Sequence, residues 1–295
     1  IMGQSYEIQN NQFKISVLKK GAQLCKFINK LDNTDILWEG NPNFWAKHSP
    51  ILFPNIGKLK NDFYTLNQKT LQLPKHGFVK DVDWELLEIQ KDCISLKTKS
   101  CEETLNIFPF DFEIIINFKL SEKGLKVEHL VKNNGLNNMY FSIGAHPAFK
   151  IPFHQNSIFT DYQLVFEQNE TCTEMNLNPD GFLLGTENVL LNQQNTIALS
   201  EDLFYQDTVI IPNLQSNKIT IENQKHNIKK LSFSWENFDY LAIWKPKNAP
   251  FLCLEPWQGL PDFDNHDGNW LNKIGNDCLQ PNHSKMYSWT MEVLK

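Results

Sequence analysis

The sequence predicts an all-β protein, a large antiparallel β-sandwich with few short helices, and three observations carry that reading. Apolar and polar residues alternate with a period of two through most of the chain. Only seven alanines occur, and no segment sustains a 3.6-residue apolar period over three turns. Turn chemistry such as Ser121-Glu122-Lys123-Gly124 and Asn133-Asn134-Gly135 separates short runs rich in β-branched and aromatic residues.

Taken in order, the expected strands are 13–18, 84–89, 93–97, 112–120, 125–131, 162–166, 218–221, 230–235, 240–244 and 287–293. The clearest is 112–120, where Phe112, Ile114, Ile116, Phe118 and Leu120 share one face. So many short strands indicate one large sandwich, and the chain shows no internal repeat, Gly/Ser linker or charge block that would mark a second domain. Residues 1–295 are therefore expected to form a single domain. Ile1 ahead of Met2 reads as an added residue and is left out of the fold argument. Segment 262–284, rich in Asn, Asp, His and Gly, is expected to be an excursion over the surface.

Composition narrows the function. With 21 Phe and 8 Trp there is ample material for a core, so disulfides or structural metals are not required for stability. A formal net charge of −6 excludes a basic nucleic-acid footprint. All 28 basic residues are lysine, so no guanidinium fork is available to clamp a carboxylate or phosphate. The six cysteines lie far apart, without metal-ligand spacing, and read as reduced and mostly buried. No run approaches the length of a membrane span or a signal peptide, so no membrane partner is expected and the cytoplasm is the expected compartment.

Three short motifs carry chemistry. In Phe251-Leu252-Cys253-Leu254-Glu255-Pro256-Trp257-Gln258-Gly259, a carboxylate sits between an apolar strand and an aromatic loop. Its neighbours read as buried, and buried carboxylates are rare without a partner. His76 in Lys75-His76-Gly77-Phe78 and His146 in Gly144-Ala145-His146-Pro147-Ala148-Phe149 have similar surroundings. One Glu and two His make an acid/base set.

In that order and at those separations the three motifs resemble the aldose 1-epimerase (galactose mutarotase) superfamily, and more narrowly its LacX-like branch. Gly21-Ala22-Gln23-Leu24, Asp35-Ile36-Leu37-Trp38 and the stretch 50–59 extend the resemblance over nearly the whole chain. It implies a supersandwich of antiparallel strands with an open cleft for a monosaccharide and no metal or other cofactor. It further implies Glu255 as general base, His146 as general acid, and His76 as a hydrogen-bonding group on the ring-oxygen side of the sugar. Asp207 matches a position where the family binds sugar hydroxyls through an acid. Lys58 stands where relatives usually have Arg. Trp257 and Phe149 are expected as apolar walls, with core packing as the alternative for both.

The chemistry explains the residue types. Interconverting the α and β anomers of a hexose needs a proton removed from the anomeric hydroxyl and one delivered to the ring oxygen. At ordinary values a glutamate near 4.3 is ionised at neutral pH and a histidine near 6.5 can donate, so the acidic limb of a pH profile is expected from Glu255 and the upper limb from His146. Three rivals stay open: a metal enzyme using two His and one Glu, a sugar-binding module without catalysis, and a hexose-6-phosphate 1-epimerase, since Lys58, Lys60, Lys75 and Lys80 crowd the first motifs. Either a monomer or a homodimer is compatible with the sequence.

Overall fold

A computed structural model describes residues 3–154, 156–226 and 228–294; Ile1 and Met2 lie outside them. All pairs between its strands are antiparallel. No helix among the described residues exceeds four residues. The fold is the expected antiparallel all-β sandwich.

Two sheets matter for function. The nine-stranded sheet runs in the order Leu183–Ala198, Tyr162–Leu177, Lys218–Asn223, Ile228–Glu236, Ser284–Val293, Gly124–Asn133, Phe112–Leu120, Cys93–Lys99 and Glu85–Ile89. A six-stranded sheet runs Thr208–Pro212, Tyr240–Trp244, Phe251–Gln258, Ile143–Ala145 and Ile51–Leu52, with Ala148–Lys150 also paired to Phe251–Gln258. Period-two alternation gives this smaller sheet two apolar faces. Val209, Ile211, Leu241, Ile243, Leu252 and Leu254 join the main core together with Phe112, Ile114, Leu125, Leu164 and Phe233 of the large sheet. On the opposite face Leu52, Ile210, Ala242 and Trp257 form a second cluster, and Ala148, Phe251 and Cys253 belong to a third. Strand Phe251–Gln258 is consequently buried at all eight positions.

Strands Phe13–Leu18, Phe112–Leu120 and Tyr240–Trp244 have the bounds that the alternation predicts. Segment 162–166 is instead the start of Tyr162–Leu177, a 16-residue strand paired with Leu183–Ala198. That partner escapes sequence reading because it is an edge strand whose exposed positions outnumber its buried ones, leaving little apolar alternation to detect. Segment 262–284 is also more than a surface excursion. Trp270 is 1% exposed and donates its indole N–H to the Tyr140 carbonyl, Asp262 and Lys273 form a buried ion pair, and Asp277–Leu279 pairs with Met139–Phe141. The cysteines are all free; Cys25, Cys172 and Cys253 are buried, whereas Cys101 and Cys278 are exposed.

His129, in Gly124–Asn133, is 1% exposed, and neither ring nitrogen has a hydrogen-bond partner among the described residues. Burial pushes its pKa down to about 3. Below about pH 6.5 the unfolded chain takes up this proton and the folded chain does not, so the group lowers stability as pH falls from there toward 3, by about 1.4 kcal/mol per pH unit. His129→Leu should therefore melt at a temperature close to that of the parent at pH 7 and clearly above it at pH 4.5. Parallel losses of melting temperature in both proteins would contradict a neutral, buried His129.

Candidate active site

The face of the six-stranded sheet that turns away from the main core forms the floor of a cleft of about 420 Å³, inside the range of roughly 300–1,000 Å³ typical of small-molecule sites. Alternation along Phe251–Gln258 aims Glu255 and Trp257 at this cleft while Leu252 and Leu254 go to the core. Register gives both room: Ala242 lies beside Glu255, and Gly144 beside Trp257. His146 follows Ile143–Ala145, the strand on the other side of Phe251–Gln258. His76 arrives on a turn in which it and Gly77 both have positive φ. Only glycine fits at position 77, because a Cβ there would stand 1.9 Å from the Phe53 carbonyl oxygen.

Six of the seven residues expected from sequence line this one cleft: His76, His146, Glu255, Asp207, Lys58 and Trp257. Phe149 does not. It is fully buried in the main core, edge-on to Phe233, because strand Ala148–Lys150 turns that side chain toward the large sheet. Trp257 combines both readings weighed for it, since it packs in an apolar cluster and also lines the cleft.

At the floor, His146 Nε2 lies 3.2 Å from Glu255 Oε2. The same carboxylate oxygen accepts the indole N–H of Trp257 at 3.2 Å. Both groups are buried, at 7% and 1% exposure. Burial raises Glu255 well above its ordinary value, only partly opposed by the Trp257 N–H and the Lys75 charge. Burial lowers His146 to about 3. At rest the pair therefore holds its one proton on Glu255, leaving both groups uncharged, unlike the ionised glutamate and proton-donating histidine that ordinary pKa values suggest.

His76 is also held neutral, first by burial and then by the neighbouring His146, Lys75 and Lys80. Its Nδ1 accepts the Gly57 N–H at 3.1 Å, and its own backbone N–H donates to the Gly57 carbonyl at 3.0 Å. With Nδ1 as acceptor, the ring proton of neutral His76 resides on Nε2. Its ring is edge-on to that of His146, with centroids 6.0 Å apart.

Sequence reading misses two walls, Trp45 and Trp244. Trp45 stacks on the His146 imidazole at 4.7 Å and 23°, and Trp244 meets the same ring edge-on at 5.6 Å. Trp244 ends an expected strand, so the alternation could have placed it; Trp45 lies in an irregular loop, where periodicity gives no signal. Trp244 also donates its indole N–H to Asp207 Oδ1 at 3.0 Å, holding that exposed carboxylate on a residue with φ of 76°.

The rim is fixed from behind. Lys273 donates to Asp262 Oδ1 at 2.5 Å and to the Leu260 carbonyl, while Asp262 Oδ2 accepts the Lys60 N–H. Asp262 also bonds the Lys58 carbonyl and the Leu183 N–H through its backbone. Three cleft-lining pieces, Gly57-Lys58, Pro261 and the turn at Asp180-Gly181, are thereby tied near one buried pair.

The sequence profile of the family described as aldose 1-epimerase matches residues 4–272. The chromosomal LacX protein of Lactococcus lactis subsp. lactis is 30% identical over 263 residues, covering 86% of this chain and 87% of that protein. A galactose mutarotase related enzyme from Lactobacillus acidophilus superposes with a TM-score of 0.92 at 30% identity, covering 99% of this chain and 98% of its own. A galactose mutarotase-like protein from Lactobacillus casei gives 0.90 at 32% identity, covering 99% and 100%. The fold, the converging motifs and a profile match over most of its length together establish that the chain belongs to the aldose 1-epimerase family.

Proposed function

We propose that the chain interconverts the α and β anomers of a hexose, with Glu255 as the base and His146 as the acid. The observation that carries this reading is the 3.2 Å contact between His146 Nε2 and Glu255 Oε2 on the floor of a walled cleft. A pair that holds one proton offers one donor and one acceptor side by side, which anomerisation needs. With the proton on His146, the Glu255 carboxylate takes the anomeric hydroxyl proton as His146 protonates the ring oxygen, and the C1–O5 bond breaks to give an aldehyde. Rotation about C1–C2 presents the other carbonyl face, and the reverse transfers close the ring. Ring opening leaves the proton on Glu255 and His146 neutral, the arrangement that burial favours.

In this reading His76 donates from Nε2 to the ring-oxygen side, Asp207 accepts sugar hydroxyls, and Lys58 donates to one. Trp45, Trp244 and Trp257 supply apolar surfaces for the sugar's C–H faces. A hexose 6-phosphate is the second reading, favoured by charge. Lys47, Lys58, Lys75 and Lys80 line the cleft against Asp180, Asp207 and Glu255, in a chain whose net charge is −6. Lys58 and Lys75 are exposed and have no ion-pair partner among the described residues, so both are available to an anion.

Glu255→Gln and His146→Asn should each lower kcat for anomerisation of freshly dissolved α-glucose or α-galactose by roughly 10²-fold or more, with KM little changed. Asp207→Asn and Lys58→Ala should act mainly on KM. Polarimetry reads both, and a near-normal rate in folded Glu255→Gln would leave a sugar-binding protein without this mechanism.

The pH profile should reverse the assignment that ordinary pKa values give. Activity requires one proton on the pair; the depressed value of His146 governs gain of a second proton at the acid end, and the raised value of Glu255 governs loss of the only one at the alkaline end. The profile of kcat/KM should stay flat through mildly acidic pH and fall on the alkaline side, with that fall abolished in Glu255→Gln. An acid limb near pH 4.5 would return Glu255 to an ordinary exposed carboxylate.

A panel of free and 6-phosphorylated hexoses separates the two substrate readings. If the phosphate is recognised, Lys75→Ala should raise KM for the phosphorylated sugar several-fold more than for the free one. Equal effects would favour the free hexose.

A further inference from the structure

Beneath the acid/base pair lies a third donor that the proposed reaction does not use. Cys253 precedes Glu255 by two residues on the same strand, so both side chains project from the same face. It is fully buried and free, and one donor atom from each of His146, Cys253 and Glu255 lies within 4.8 Å of the others. The backbone of Cys253 is paired on both sides, with Ala148 on one and Trp244 on the other. Trp45 and Trp244 pack over the apolar cluster that contains the thiol. His146 Nδ1 is buried without a hydrogen-bond partner among the described residues.

We infer that His146, Cys253 and Glu255 form a site for a single borderline-soft divalent cation, Zn²⁺ or Co²⁺, whose occupation blocks the cleft. One imidazole nitrogen, one thiolate and one carboxylate are the donor types that select Zn²⁺ over Mg²⁺ or Ca²⁺. Ligand bonds of roughly 2.0–2.3 Å put donors at tetrahedral positions roughly 3.3–3.7 Å apart, so a closure of up to about 1.5 Å converts the observed cluster into three corners of a tetrahedron. The fourth corner faces the cleft, because His146 and Glu255 both line it.

Charge supports the assignment. On binding, the Glu255 proton and the Cys253 proton leave to solvent. The thiolate and carboxylate then cancel the two charges of the cation. A neutral complex can be held in a buried floor where an isolated ion could not. Because the metal takes the lone pairs that the pair would use on a sugar, it acts as an inhibitor and not as a cofactor.

Binding can be tested without reference to the proposed activity. Co²⁺ titrated into the chelator-treated full-length protein should bind one per chain, with a near-ultraviolet thiolate-to-cobalt charge-transfer band and visible absorption of low-coordinate cobalt. Cys253→Ala should lose the charge-transfer band, while the other five cysteines remain. No band with the wild type, or a band that survives Cys253→Ala, would overturn the site. X-ray absorption on the Zn²⁺-loaded wild type needs no variant: one sulfur among nitrogen and oxygen scatterers is expected, and a shell without sulfur refutes the proposal.

The inhibitory consequence rests on the anomerase reading and is read separately. Exhaustive chelation should leave the rate intact, Zn²⁺ should abolish it reversibly, and Cys253→Ala should anomerise normally while resisting Zn²⁺. Equal Zn²⁺ inhibition of wild type and Cys253→Ala would remove the thiol from the site. Cobalt binding in a protein that anomerises nothing would keep the metal site and sink the anomerase reading alone.

Discussion

A carboxylate buried in the middle of a strand that is covered on both faces is the constraint around which the cleft is organised. Isolated and ionised, Glu255 would carry a desolvation cost of several kcal/mol. The Trp257 indole, which donates to Oε2, offsets it only in part, so the carboxyl keeps its proton, with the His146 imidazole 3.2 Å from the same oxygen. The low dielectric that makes the charge costly also makes the proton's position responsive to a bound ligand. A polar sugar laid across the pair would change the solvation of both groups at once. The chemistry proposed for the site thus follows from how the strand is buried as well as from the identity of the residue.

The aromatic walls extend that constraint. Trp45 covers one face of the His146 ring, Trp244 touches its edge, and Trp244 also fixes Asp207 through its indole N–H. One side chain therefore links the proton-transfer floor to the exposed carboxylate at the rim. On the other side the Gly57 N–H, donating to His76 Nδ1, sets the tautomer of His76, and the His76 N–H bonds back to the Gly57 carbonyl. The buried Lys273–Asp262 pair holds the loops that carry Lys58 and Pro261. Removing either partner of such a pair leaves an uncompensated buried charge, which typically costs about 3–5 kcal/mol, so this rim is built to keep its shape.

The sequence made much of this legible, but unevenly. Strands with one face in the core, such as Phe112–Leu120, announce themselves because the core imposes alternation on them. Leu183–Ala198 does not, since an edge strand with mostly exposed positions needs no apolar rhythm. Six of the seven candidate site residues reach the cleft. Phe149 fails because it stands three residues after His146 in a run that keeps one register against Phe251–Gln258, so period-two alternation sends the two side chains to opposite sides of the sheet. Trp45 was hidden in an irregular loop, and Asp262 and Lys273 in a segment whose polar composition suggested only surface.

What the sequence determined by itself was the all-β class, most of the core-facing strands and the three motifs that carry Glu255, His146 and His76. The class and strands follow from local periodicity and the motifs from their order in the chain, both of which the sequence carries without folding; the roles proposed for the motif residues come from the family resemblance. Only the tertiary structure decided that Glu255 and His146 meet at one oxygen, that burial moves their proton affinities in opposite directions, and that Cys253 lies beside them. The physical reason is that desolvation and proximity are properties of the packed interior: the same glutamate and histidine, 109 positions apart in the chain, have no electrostatic relation until strand register brings them together.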